Sequence, residues 1–211
     1  MCSKFERNFA ISKIGVDDAV TTLCKKNYGL HLMLVYPNID ILREFYCLYI
    51  RKEIEDYNGM VLIAPFYETI DSVRSTLSKY LPSFNISRYE KDQCLTITDA
   101  RRFYNTPQRA VEYITKMAKY AKSIGKTGVT VMGDMGVFFT TQYNNAVTDY
   151  EISYLPKEFS VDKKGFCLFN EKDVMSISPD KTIELFQHHG MIIELVWSIR
   201  ANHRLRKETP C

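Results

Sequence analysis

The junction Tyr36-Pro37-Asn38-Ile39-Asp40 stands where a nucleotide-hydrolysing α/β protein carries its phosphate loop. Such a loop reads GxxxxGK[ST]: its backbone N–H groups cradle phosphates and its Lys neutralises them. Here the junction has no Gly and no Lys, and a carboxylate stands where phosphate would sit. The framework predicts ligand binding without ATP hydrolysis. Gly125-Lys126-Thr127 does not restore the loop. The first Gly of the motif would fall at Tyr120, and the segment follows a helix and opens a strand, the reverse of the required order. An ordinary helix end accounts for it.

A second constellation is Gly133-Asp134-Met135-Gly136, at the carboxyl end of an apolar strand. Ligands of open α/β sheets bind at that edge. Asp134 is a candidate ligand group. The alternative is an Asp that caps a turn whose glycines serve only the bend. Binding of Mg²⁺ by such an acid usually needs a nucleotide phosphate as co-ligand. Tyr36 and Asn38 end the first strand of the domain at the same edge, and Phe138 and Phe139 follow the turn. Aromatic groups beside one carboxylate suit a small, mostly apolar ligand pocket, although each aromatic alone also fits a core. Glu151, in Asp149-Tyr150-Glu151, either faces Asp134 across that pocket or lies on a solvated or salt-bridged helix face. The candidate ligand-binding set is Tyr36, Asn38, Asp134, Met135, Phe138 and Glu151, with no catalytic group, cofactor or metal site assigned.

Adjacent His188 and His189 diverge by about 100° on a helix, so they do not read as a pair on one ion. In a last helical turn they complement the helix dipole. His31 starts its strand, at the edge opposite Asp134, and reads as a structural hydrogen-bonding residue. No GxSxG elbow, HExxH helix, kinase set or GxGxxG is present.

These residues need elements to hold them. The length of 211 residues and 45% hydrophobic content fit one α/β domain. The net charge of +3 argues against strong attraction of the whole chain to nucleic acid or membrane. The six cysteines form no CxxC pair, and Cys94 and Cys167 fall inside strand patterns as buried free thiols of a reduced compartment. With no apolar leader at the N-terminus and no run of roughly 20 apolar residues, the protein is expected in the cytoplasm.

Strand and helix patterns alternate almost throughout. HLMLVY, MVLIAPF, QCLTITDA, GVTVM, GFCLF and MIIELVW read as strands, with QCLTITDA nearest a sheet edge. Thr69 caps one helix that Pro82 stops. Thr106 and Pro107 start another that Gly125 ends. Asn145 to Tyr154 and a segment from Ser178-Pro179 to His188-His189-Gly190 are helical. Residues 1–28 read as an N-terminal extension with a helix over Val16 to Lys26, residues 29–197 as the domain, and residues 198–211 as a basic tail. Alternating strands and helices imply right-handed crossovers and a mostly parallel sheet covered on both faces.

The succession from His31 to Leu195 resembles a known family. It comprises the His-led strand HLMLVY, the acidic helix start, GMVLIAPFYETIDSVRSTL, GDMG, DYE, and a Cys-containing strand before a final short helix. This order is similar to the MEDS domain, the methanogen/methylotroph DcmR sensory domain, a relative of KaiC/RecA-like ATPases. The resemblance implies a RecA/KaiC-like three-layer sandwich without a working Walker A loop. It also implies a sensory role, in which a small organic molecule is detected and passed to a transcription regulator or histidine kinase. Family members often carry a fused DNA-binding domain or kinase; the roughly 30 residues before the domain leave no room for a winged helix, and no kinase follows. A stand-alone module, with a homodimer among its possible assemblies, is the expectation. The rivals are a degenerate nucleotide-binding protein and a nucleic-acid-associated regulator using the basic tail.

Overall fold

Apolar runs buried on both faces become the central strands of a seven-stranded sheet. The computed structural model describes residues 10–140 and 146–197. The strands are β1 (Ile11–Gly15), β2 (His31–Tyr36), β3 (Met60–Ala64), β4 (Leu95–Ile97), β5 (Val129–Asp134), β6 (Lys163–Asn170) and β7 (Met191–Val196). Their order is β1-β7-β2-β6-β5-β3-β4, and every pairing is parallel.

On one face lie α1 (Val16–Lys25), α2 (Ile39–Glu55), α3 (Ile70–Tyr80) and α4 (Ile86–Lys91), packed over Leu32, Leu34, Tyr36, Phe166 and Leu168. The other face is covered by the short α5 (Ala100–Phe103), then α6 (Pro107–Ser123), α7 (Ala146–Tyr154), α8 (Glu171–Ser176) and α9 (Pro179–His188). A 3-10 turn, Met135–Thr140, follows β5. The result is a three-layer α/β fold. Among the described residues no helix is long and apolar enough to cross a membrane.

Local sequence explains most boundaries. The Thr69 side chain accepts from Ser72 N at 3.1 Å and caps α3. Pro107 occupies the first turn of α6, although Thr106 before it makes no side-chain capping bond. Gly125 takes φ +75°, the left-handed conformation that ends a helix without a Cβ penalty. The expectation for residues 1–28 needs correction. The helix is there, but Ile11–Gly15 pairs along β7, from Ile11 with Ile192 to Gly15 with Val196. The supposed extension therefore supplies an edge strand, and residue 28 marks no boundary. Three of the five β1 residues are exposed, so the strand shows no buried apolar run in sequence. The basic tail lies outside the described residues.

Candidate functional site

At the carboxyl edge of the sheet, the expected ligand groups are engaged in building the edge itself. Asn38 caps α2: its Oδ1 accepts from Asp40 N at 3.1 Å and Ile41 N at 3.2 Å. Asp134 is buried, and its Oδ2 accepts from Phe66 N at 3.1 Å and Tyr67 N at 3.4 Å. Its Oδ1 accepts from Gly136 N at 3.0 Å. Burial raises its pKa from 3.8 to about 6, against the pull of those three N–H donors. Both oxygens are thus committed to joining the ends of β3 and β5. Asp134 is the turn-building carboxylate of the alternative reading, not a free ligand group.

Tyr36 and Met135 are fully buried. Burial, and then the charge of Asp134, push the Tyr36 hydroxyl far above its usual range. Phe138 stacks on Tyr150 with ring centroids 4.8 Å apart, and both meet Tyr104. Phe139 meets Phe169 edge-on at 6.5 Å. Tyr36 and Asp134 do share an edge, as expected, but they share it as core.

Glu151 is elsewhere. It does not face Asp134 and is not solvated: α7 turns Val147, Thr148, Tyr150 and Glu151 inward, and Glu151 is 0% exposed. It meets His31 from the start of β2, Cys167 from β6 and His189 from the turn after α9. One ligand-type atom from each of the four lies within 4.8 Å of the others, and all four residues are buried. His31 Nε2 is 3.1 Å from Glu151 Oε2 and 3.3 Å from Cys167 Sγ. His189 Nε2 is 3.7 Å from Glu151 Oε2. The two imidazole rings tilt against each other at 4.3 Å.

The tautomer of His189 follows from its partner. Nδ1 lies 2.8 Å from the Leu185 carbonyl oxygen. A carbonyl only accepts, so Nδ1 carries the proton. Burial lowers the His189 pKa to about 4, so near neutral pH the ring is uncharged and Nε2 presents a lone pair to the cluster. Burial alone would raise the Glu151 pKa, but His31, His189 and Cys167 outweigh it and hold Glu151 ionised, below the usual range. Glu151 Oε1 and Oε2 and His189 Nε2 all lack a hydrogen bond of good geometry. Buried acceptors left so cost roughly 1–3 kcal/mol each.

The other face offers a contrast. Glu53 and Lys164 are also buried, but Lys164 Nζ donates to Leu23 O and Cys24 O at 3.2 Å and reaches Glu53 at 3.4 Å. Tyr28 and Thr130 donate to Glu53 as well. That network is satisfied and structural; the His31 cluster is not satisfied.

Two hollows border the cluster. A small hollow of about 20 Å³ is lined by His31, Cys167, Tyr104, Tyr150, Phe159 and Lys163 among others. A wider cleft of about 290 Å³ runs past His189, Lys157, Phe186 and Gly190. Neither touches Tyr36, Asn38, Asp134 or Met135.

Sequence reasoning placed His31 opposite Asp134 and separated His188 from His189, and both hold. His188 Nε2 meets Leu155 O at 2.6 Å while His189 enters the cluster. The convergence of positions 31, 151, 167 and 189 was missed. The available signal was a His, a Cys and a Glu each on an element otherwise patterned for burial.

The architecture agrees with a solved structure, a KaiC-like protein from the hyperthermophilic archaeon Pyrococcus horikoshii. The match has a TM-score of 0.54 at 14% identity, over 79% of this chain and 72% of that one. The chain therefore has a RecA/KaiC-like α/β fold. No family model matches the sequence, and no curated protein matches it.

Proposed function

We propose that the chain is a sensory, ligand-binding module on a RecA/KaiC-like frame. It binds a small organic molecule, does not hydrolyse ATP, and signals to a regulatory protein such as a transcription regulator or histidine kinase. The observation that carries the reading without ATP hydrolysis is the Asn38 cap. A phosphate at a strand–helix junction would take the free N–H groups at the start of the helix. In α2 two of these already bond Asn38 Oδ1, and Asp40 in the same turn repels an anion. The small hollow beside His31 supports ligand binding, since aromatic walls with a few polar groups, here His31, Lys163 and Cys167, suit a small ligand. Its volume holds about one or two waters, so an occupant has few heavy atoms unless Tyr104 or Phe159 moves.

The test combines two measurements on purified protein. Calorimetric titration with Mg-ATP should give no saturable heat, and phosphate release should match the buffer. Native mass spectrometry should find a co-purified small molecule. Mg-dependent ATP turnover would sink the reading.

A further inference from the structure

We infer that His31, Glu151, Cys167 and His189 form a binding site for a single zinc-class metal ion. The inference goes beyond the sensory reading and stands apart from it. Four donors of the types zinc takes are brought together from four separate elements, with their ligand atoms within 4.8 Å of one another. Zinc bonds of about 2.0–2.3 Å in a tetrahedron place neighbouring donors roughly 3.3–3.8 Å apart. Three of the six separations, 3.1, 3.3 and 3.7 Å, lie near that spacing, and the others fall within 4.8 Å, so that binding would draw the donors slightly together.

The orientation of His189 is a second, independent argument. Its Nδ1–H is held by the Leu185 carbonyl. Metal-binding imidazoles are commonly fixed in this way, through the nitrogen remote from the ion. Nε2 then points a lone pair at a carboxylate oxygen, acceptor against acceptor, and neither has a hydrogen bond of good geometry. A cation between them satisfies both.

Charge gives a third. Two neutral imidazoles, one carboxylate and one thiolate balance a divalent ion, which leaves a buried site neutral. On binding, the Cys167 thiol proton leaves to solvent and a sulfur–metal bond forms. Of the four residues His189 alone lines the wider cleft, which places the site one side chain from that cleft.

The experiment is a Co²⁺ titration of the full chain, stripped of metal and confirmed folded by circular dichroism. Cobalt reports a tetrahedral site by its visible bands and a thiolate ligand by an ultraviolet charge-transfer band. One equivalent should saturate both, and Zn²⁺ should displace it. Cys167→Ser should abolish the charge-transfer band with the other five cysteines kept, and Cys94→Ser should leave it intact. If Cys167→Ser fails to fold, His189→Asn should weaken the visible bands at least tenfold at equal cobalt. Folded wild-type protein without these bands would overturn the site, as would a charge-transfer band that survives Cys167→Ser. ATP turnover would sink the sensory reading and leave the cobalt spectrum untouched, so the two failures are distinguishable.

Discussion

The Tyr104 hydroxyl occupies the space that a Cβ on Gly133 would need. Gly133 is therefore a site of close approach within β5, and Tyr104 seals the strand under Phe138 and Tyr150. Gly133→Ala should push Tyr104 out and destabilise the fold by about 1–3 kcal/mol, the usual range for overpacking. Tyr104→Phe removes the clashing atom and should recover part of the loss. A double-mutant cycle in urea measures the coupling. Additive effects would show that Tyr104 is not what Gly133 accommodates.

Asp134 makes stability depend on pH with an unusual sign for an acid. Its pKa rises from 3.8 to about 6 on folding, chiefly through burial. Between those values the native state binds more protons than the unfolded state, so stability falls as pH rises through the window. Above it the full penalty, on the order of 3 kcal/mol, remains. Asp134→Asn should remove this pH dependence. It should also lower stability near pH 4 by about 1–3 kcal/mol, because an amide nitrogen would face a backbone N–H. Urea melts from pH 4 to 7 compare the slopes; an unchanged slope in the variant would refute the assignment.

The Asn38 cap predicts a purely structural loss. Asn38→Ala should cost about 0.5–2 kcal/mol. It should not create ATP binding, because Asp40 stays and no Lys is supplied. Chemical denaturation and a nucleotide titration on the same sample read both effects.

Lys164 is held by two carbonyls and Glu53 on the α1–α2 side of the sheet. Lys164→Met should strand a buried carboxylate and destabilise the fold by about 3–5 kcal/mol, whereas Lys164→Met with Glu53→Gln should be markedly milder. Equal losses in the two variants would mean that the ion pair is not the issue.

How much of this was legible depends on where each residue finds its partners. MVLIA throughout, and HLMLVY after its leading His31, are apolar at every buried position, so β3 and β2 could be read as interior strands. The capping Thr69 and the Pro107-to-Gly125 frame are local signals, and the helices they bound were readable. β1 was not, because an exposed edge strand has no apolar pattern and its partner lies about 180 residues away in the chain, a separation that no local rule carries. The functional edge was misjudged for a related reason. Asp134 at a strand end looks the same in sequence whether its oxygens face a ligand or the N–H groups of Phe66 and Tyr67, which follow a different strand. Glu151 was seen on a helix, but which face of α7 is inward is decided by β2, β6 and the turn after α9.

The strand order also governs when the protein can fold during synthesis. Among the described residues β1 pairs only with β7, and β2 lies between β6 and β7. Neither of the first two strands has a neighbour until residues beyond 160 have left the ribosome. Until then β2, an apolar ribbon with both edges open, has no native partner. The nascent chain thus spends most of its translation with an interior strand unpaired, and a chaperone that holds HLMLVY until β6 emerges would act at the step where this topology is most open to aggregation.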